Sequence, residues 1–298
     1  MSIDFSNRVA IVTGAGGGLG REHALALAAR GAKVVVNDLG SGGSSAAALA
    51  VVEEIRAAGG VAMANDASVT DFAAVQAMVA DAVAAWGRVD ILINNAGILR
   101  DKSFAKMELD DFKLVMDVHL MGAVHCCKAV WPLMNEQKYG RIVMTTSSSG
   151  LYGNFGQSNY GAAKMALVGL MQTLALEGAK NNIHVNSLAP TAATRMTEAL
   201  FPPEFLQALQ ASDVVPAMLV LASEAAPTRA ILCAGAGSFE AAHITMTPGL
   251  WLGRGGATDE VLAARLSEVR ARADETVPES GTAQGHLELS KAMQHTQG

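Results

Sequence analysis

Cysteine, aromatic side chains and runs of one charge are all scarce in this sequence. Of 298 residues, three are cysteine: Cys126, Cys127 and Cys233. Two neighbouring thiols and one distant one form neither a disulfide framework nor the paired spacing of a metal site. The seven histidines show no ligand spacing of the H-E-x-x-H kind. The expectation is therefore no bound metal and a reducing, cytoplasmic compartment. Net charge is −6 with no Lys/Arg run, which argues against nucleic acid or an anionic membrane surface as a partner. The first residues, MSIDFSNRVAIVTGAG, lack a basic stretch followed by an apolar one, so no signal peptide is read there. No apolar run reaches the ~18 residues of a membrane span. Aromatics make up only 5%, so a large core must come from small side chains packed closely.

Apolar material is nonetheless abundant, at half of all residues, with much Ala, Gly and Val. Its arrangement alternates. Residues 8–13 (RVAIVT) read as a buried strand ending at glycines. Residues 21–30 (REHALALAAR) read as a helix stopped by Gly31. Residues 32–37 (AKVVVN) form a second strand with Asp38 at its tip. The loop Gly14-Ala-Gly-Gly-Gly-Leu-Gly20 lies between the first strand and the helix. Strand, glycine loop, helix, strand and acid within about thirty residues are the signature of a dinucleotide site. Further strands are expected at 61–64, 89–93, 141–144, 184–187 and 230–234. Helices are expected at 46–58, 71–86, 108–139, 159–180 and 213–223. This alternation predicts an α/β fold, a Rossmann-type doubly wound parallel sheet of about seven strands with helices on both faces, as a single domain over residues 1–255. Residues 191–212 follow a strand tip, carry Phe201-Pro202-Pro203, and read as a substrate lid or a plain connection. Residues 256–298 read as a C-terminal helix at 260–273 and a polar tail from 274, either mobile or an arm on a neighbouring subunit.

The chemistry-bearing residues gather at strand tips. Gly14 permits a tight turn, and Gly18 and Gly20 let backbone approach a pyrophosphate at the helix start. Asp38 can accept hydrogen bonds from ribose hydroxyls and would repel a 2′-phosphate, which favours NAD over NADP. Asp66 either hydrogen-bonds the adenine or caps the next helix. Asn94 begins an NNAG segment at a strand tip, where it either faces a ligand or stitches strands together. His125 reads as a packed core histidine. Ser147 follows the fifth strand. Tyr160 and Lys164 stand one helical turn apart on the same face. A nearby ammonium favours the phenolate, and a phenol so tuned exchanges protons with alcohols and ketones. Such a pair alone is a common surface coincidence. On the same sheet edge as the glycine loop, it becomes a proton-transfer site facing a nicotinamide.

Four motifs thus stand in order: TGxxxGxG from Thr13 to Gly20, NNAG from Asn94 to Gly97, Ser147, and Tyr160-x-x-x-Lys164. Over about residues 6–250 they resemble the short-chain dehydrogenase/reductase family. The resemblance implies that Tyr160 is the general acid/base and that Ser147 orients the substrate oxygen. Lys164 would lower the Tyr160 pKa and bind the nicotinamide ribose. Coenzyme contacts are implied at Gly14, Gly18, Leu19, Gly20, Asp38, Asp66, Ala67, Asn94, Ala96, Gly97, Tyr160, Lys164, Pro190 and Thr194. Substrate contacts are implied at Ser147, Asn154, Tyr160 and Phe201. His119 stands where most members carry Asn. Its backbone carbonyl, rather than its side chain, is the expected contributor, holding a water on the proton path to Lys164.

Segments such as NDLG at 37–40, NNAGILRDKSFAKM at 94–107 and GNFGQSNYGAAK at 153–164 are similar to a narrower branch. That branch is the dehydrogenase units of peroxisomal type 2 multifunctional enzymes. It implies interconversion of (3R)-3-hydroxyacyl-CoA and 3-ketoacyl-CoA with NAD. A steroid or other hydrophobic secondary alcohol is the alternative substrate, and a non-catalytic NAD-binding protein is a third reading. The narrow likeness fades after about residue 200, and TAAT after Pro190 departs from the usual glycine-containing sequence. The apolar helices near 111–128 and 159–180 can pair with copies of themselves, as related enzymes do in homodimers and homotetramers.

Overall fold

The chain divides into two compact units, Met1–Ala241 and Ala242–Gly298, in a computed structural model that describes residues 3–40, 45–193, 206, 208–255 and 257–296. The first unit is organised on one eight-stranded sheet, in the order β3-β2-β1-β4-β5-β6-β7-β8. The strands are β1 Val9–Thr13, β2 Lys33–Asn37, β3 Val61–Asn65, β4 Ile91–Asn94, β5 Gly140–Thr145, β6 Ile183–Pro190, β7 Ile231–Gly235 and β8 Ser238–Ala242. The first seven pair in parallel. The eighth goes beyond the seven expected. Ala236 and Gly237, with φ of 49° and 76°, form a two-residue turn with both φ positive, so β8 returns antiparallel. Alanine in the first turn position is a poor hairpin signal, which is why the sequence does not announce this strand.

Helices cover both faces of the sheet. Against one face lie α1 Gly18–Ala28, α2 Ala46–Ala57 and, beside α1, α8 Val215–Ala222. Against the other lie α3 Phe72–Trp86, α5 Gly122–Gln137 and α7 Ser158–Gly178, with α4 Leu109–Met116 packed on α7. Strands covered on both faces have no polar side, so they read as continuous apolar runs. Val12, Val36, Ile93 and Leu188 bury with Leu27, Val52 and Met218 in one cluster. The intervening Ile11, Leu92 and Ile142 are equally inaccessible. Truncating one of these to Ala would cost about 2–5 kcal/mol, the usual range for a large aliphatic residue in a rigid core.

The long helical stretch expected at 108–139 is α4 and α5 joined by a π-helical turn, Asp117–Met121, which carries His119. By length and composition alone 109–137 could cross a bilayer, but here it packs against α3 and α7. In the second unit the expected helix at 260–273 is broken at Arg265 into α9 Thr258–Ala264 and α10 Leu266–Val269, and the polar tail folds into α11 Thr282–Thr296. None of that unit's described residues is buried.

Candidate active site

The carboxyl ends of β1, β4, β5 and β6 open onto a cleft of about 720 Å³, a size that holds small ligands. Gly14, Gly17, Gly18, Leu19 and Asp38 line one side of it. Gly14 and Gly18 have φ of 63° and 51°, a region costly for residues with a Cβ. A Cβ on Gly14 would lie 2.8 Å from Ala96 Cα, and one on Gly20 only 2.2 Å from Gly14 O. Gly20 does not line the cleft. Its role is to let α1 seat against the loop. Helix α1 starts behind Gly17 with no side-chain cap and no acidic residue in its first turn. Its free N–H groups and positive dipole end suit a phosphate. Asp38 Oδ2 accepts a hydrogen bond from Gly16 N at 2.8 Å, so the carboxylate expected at the ribose also braces the loop. Backbone donors, absent side chains and an acid two strands in fit a dinucleotide coenzyme on this wall.

The tip of β4 sorts the two neighbouring asparagines. Asn94 points inward. Its Nδ2 lies 3.4 Å from both Cys127 Sγ and Met144 Sδ, and its buried Oδ1 has no hydrogen-bond partner among the described residues. Asn95 is the one that reaches the cleft. Its Nδ2 donates to Thr13 O (2.9 Å) and Gly14 O (3.0 Å), while Thr13 Oγ1 accepts from Asn95 N and Ala96 N. These bonds bolt the glycine loop to β4. The period-two alternation of a strand tip is the signal that separates the two residues. Asp66 and Ala67 follow β3, half-buried. Asp71, whose side chain accepts from Ala74 N, caps α3, so the capping alternative for Asp66 does not hold. Ala67 O accepts from Asn37 Nδ2 at 2.9 Å.

Ser147, Asn154, Tyr160 and Lys164 line the cleft together with Gly97, His119 and Pro190. Thr194 and Phe201 lie outside the described residues. Ser147 caps the short α6, Ser148–Tyr152, where its Oγ accepts from Ser149 N, and it lines the cleft beside Tyr160. Lys164 is buried, and its Nζ donates to Thr145 O at 2.6 Å and sits 5.5 Å from the Tyr160 ring centre. Burial pulls the Lys164 pKa down to about 7. The phenol of Tyr160 is raised above its ordinary range, first by burial, with the nearby Ser147 hydroxyl lowering it and the Asp101 charge raising it again. This differs from the expected lowering by Lys164. The ammonium is tied to a carbonyl, and desolvation dominates. Burial therefore shifts Tyr160 toward the phenol, its proton-donating form.

The His119 side chain lines the cleft. The ring stands edge-on to Tyr160 at 5.2 Å, and Nε2 lies 3.1 Å from Ile98 N and 2.8 Å from Ile98 O, the tautomer choosing between them. A Cβ on Gly97 would lie 2.3 Å from His119 Cε1, which explains the glycine. Burial, then the Lys164 charge, lowers the imidazole to about 3, so it is neutral at physiological pH. Sequence reasoning passed over Asn95, Gly17, Thr145, Ser149, Tyr152 and Gln157, all of which line the cleft. Only the glycine run and the position of residues 145–157 past a strand tip hinted at them.

The family profile for short chain dehydrogenases matches residues 8–204, and the chain belongs to that family of oxidoreductases. Its sequence is 55% identical over 228 residues to the peroxisomal hydratase-dehydrogenase-epimerase of Saccharomyces cerevisiae, spanning 75% of this chain and 25% of that protein. The full-length peroxisomal multifunctional enzyme type 2 of Drosophila melanogaster superposes with a TM-score of 0.83 at 37% identity, over 98% of this chain and 50% of that one. A 7α-hydroxysteroid dehydrogenase complexed with NADH and 7-oxo glycochenodeoxycholic acid gives a TM-score of 0.72 at 32% identity, over 78% and 95%. The chain thus spans a quarter of the yeast relative and half of the fly one. A nicotinamide coenzyme is the cofactor of this wall.

Proposed function

We propose that this chain interconverts a (3R)-3-hydroxyacyl-CoA and the 3-ketoacyl-CoA with NAD as coenzyme. The observation that carries the reading is the meeting of Ser147, Tyr160 and Lys164 with the glycine loop and Asp38 in one cleft. Identity to the yeast enzyme supports the substrate class. Bound at the glycine loop, the coenzyme supplies the hydride acceptor. The chain's own residues do the rest. Ser147 orients the substrate oxygen, and Tyr160 gives its proton to the ketone or takes the one released from the alcohol. Lys164 holds the neighbouring polar atoms in place. Asp38 favours NAD by leaving no welcome for a 2′-phosphate.

A hydroxysteroid or another hydrophobic secondary alcohol is the second reading, favoured by the likeness to the hydroxysteroid dehydrogenase. A non-catalytic NAD-binding role is disfavoured by the buried Lys164 and by its meeting with Ser147 and Tyr160 in one cleft. Assembly as a homodimer or homotetramer is supported by apolar side chains left exposed on α4, α7 and the π turn, namely Leu114, Met165, Leu176 and Met121. Cytoplasmic residence is supported by the free thiols of Cys126, Cys127 and Cys233. The deciding experiment measures NADH formation with a panel of (3R)- and (3S)-3-hydroxyacyl-CoA esters beside a hydroxysteroid panel. Turnover of the (3R) esters is expected. Turnover of steroids alone transfers the reading to the second substrate class, and tight NADH binding without any turnover ends both.

A further inference from the structure

The cleft wall that follows β5 has little to stiffen it. Helix α6 is a single turn, and Gly153 and Gly156 behind it both have positive φ, 80° and 82°. Yet this wall carries Ser147, while Tyr160 follows it in the first turn of α7. One buried side chain ties the parts together. Gln157 is 5% exposed. Its Nε2 donates to Asp101 Oδ2 at 2.7 Å, and its Oε1 accepts from Ser149 Oγ at 2.8 Å and Asn154 Nδ2 at 3.1 Å.

An amide viewed alone can be placed either way round. Here the carboxylate settles it, because Asp101 can only accept, so the amide nitrogen faces Asp101 and the oxygen faces Ser149 and Asn154. Two branches leave this amide. Through Ser149, whose N–H donates to Ser147 Oγ at 3.2 Å, it fixes Ser147. Through its own backbone, whose carbonyl accepts from Gly161 N at 2.7 Å, it fixes the start of α7 and so Tyr160. Two further bonds run alongside, Lys102 N to Gly156 O at 2.9 Å and Asn159 Nδ2 to Arg100 O at 3.0 Å.

We infer that Gln157, oriented by Asp101, is a positioning residue that sets the Ser147–Tyr160 geometry against the substrate oxygen. It acts through Ser149 and the α7 start and does not itself exchange protons. The inference rests on the proposed role of Ser147 and Tyr160 in hydride transfer. Misplacement of a reacting group by about 1 Å can cost roughly a hundredfold. Accordingly, Gln157→Ala and Asp101→Leu should each lower kcat roughly ten- to a hundredfold while leaving the NADH dissociation constant and the thermal midpoint near wild type. Because the two side chains act as one unit, the double variant should be no worse than either single variant. Asp101→Asn, which still offers an oxygen to Nε2, should recover most of the kcat lost in Asp101→Leu.

Unchanged kcat in Gln157→Ala, or losses that multiply in the double variant, would overturn the inference. A second measurement does not depend on turnover. In the wild type the side-chain amide of Gln157 should be strongly protected from hydrogen exchange, and Asp101→Leu should abolish that protection. Equal exchange in both proteins rejects the clamp even if the wild type proves inactive on every alcohol tested. Loss of protection beside an inactive wild type would keep the clamp and discard the proposed substrates.

Discussion

The two walls of the cleft are held by different physics. The coenzyme wall is made of backbone. Its shape follows from atoms that are missing, since a Cβ at Gly14 or Gly20 would collide with main chain. Its ligand groups are the N–H donors of a helix start. The catalytic wall is made of side chains. Ser147 and Gln157 are tied through Ser149, Gln157 also to Asp101, and Lys164 to Thr145 O, with Tyr160 set beside them by the start of α7.

The largest expected effect tests the second wall. Tyr160→Phe keeps the ring, its edge contact with His119 and its bulk, and removes only the exchangeable proton. Turnover should fall about 10²–10⁴-fold, the range that a positioned acid/base contributes. NADH affinity, measured by fluorescence titration, should stay within a small factor of wild type. Coenzyme affinity that collapses along with turnover would mean the two walls are not separable. The next effect tests the first wall. Gly20→Ala adds one methyl where the nearest backbone oxygen would be 2.2 Å away. Overpacking of this kind costs about 1–3 kcal/mol, which should appear as a lower urea midpoint and weaker NADH binding. A variant of wild-type stability and affinity would show that the loop moves aside.

The same contrast explains what could be read beforehand. A wall built from missing side chains announces itself, because glycines at fixed spacing between a strand and a helix have few other uses. The alternation of apolar strands and helices was equally plain, and it carried the parallel sheet through β7. The antiparallel β8 escaped because its turn uses Ala236. Choosing between Asn94 and Asn95 needed the phase of a strand end, which a sequence gives only to within a residue or two. The partners of Gln157 were beyond reach. Asp101 lies 56 positions away in the chain, and only the folded sheet brings the loop after β4 beside the one after β5. The Tyr160 pKa went the other way from expectation because sequence shows the neighbouring charge and hides the burial.

A smaller effect belongs to Asp38, the charged side chain that lines the coenzyme wall. Asp38→Ala removes the charge that opposes a 2′-phosphate, and it also frees Gly16 N. The ratio of kcat/KM for NAD over NADP should fall by about tenfold, equivalent to about 1.4 kcal/mol, with some loss of NAD affinity. A wild type that already prefers NADP would show that Asp38 braces the loop and does not select the coenzyme.

The last comparison sets the walls against acid and changes stability, leaving turnover at pH 7 untouched. Each has one buried imidazole: His23 on α1, with both ring nitrogens lacking a partner among the described residues, and His119 beside Tyr160. Burial lowers His23 to about 4 and His119 to about 3, against about 6.5 in an unfolded chain. Between pH 6.5 and 4 the unfolded chain therefore binds protons that the folded one refuses, so the histidine share of stability is complete above pH 6.5 and declines as pH falls. Lys164, lowered to about 7, adds a smaller slope of the same sign near pH 7, where the folded protein has lost part of a proton that the unfolded chain keeps. At pH 5 each histidine should account for about 2 kcal/mol, from 1.5 pH units at about 1.36 kcal/mol each. Urea unfolding at pH 7 and pH 5 measures that sum together with the smaller shares of Lys164 and of His184, which burial also lowers. His23→Leu keeps the site intact and should remove about half of the difference, leaving the share of His119. A pH dependence identical in wild type and His23→Leu would show that His23 gains a proton or a partner in the folded protein, and that the coenzyme wall carries no acid-sensitive group.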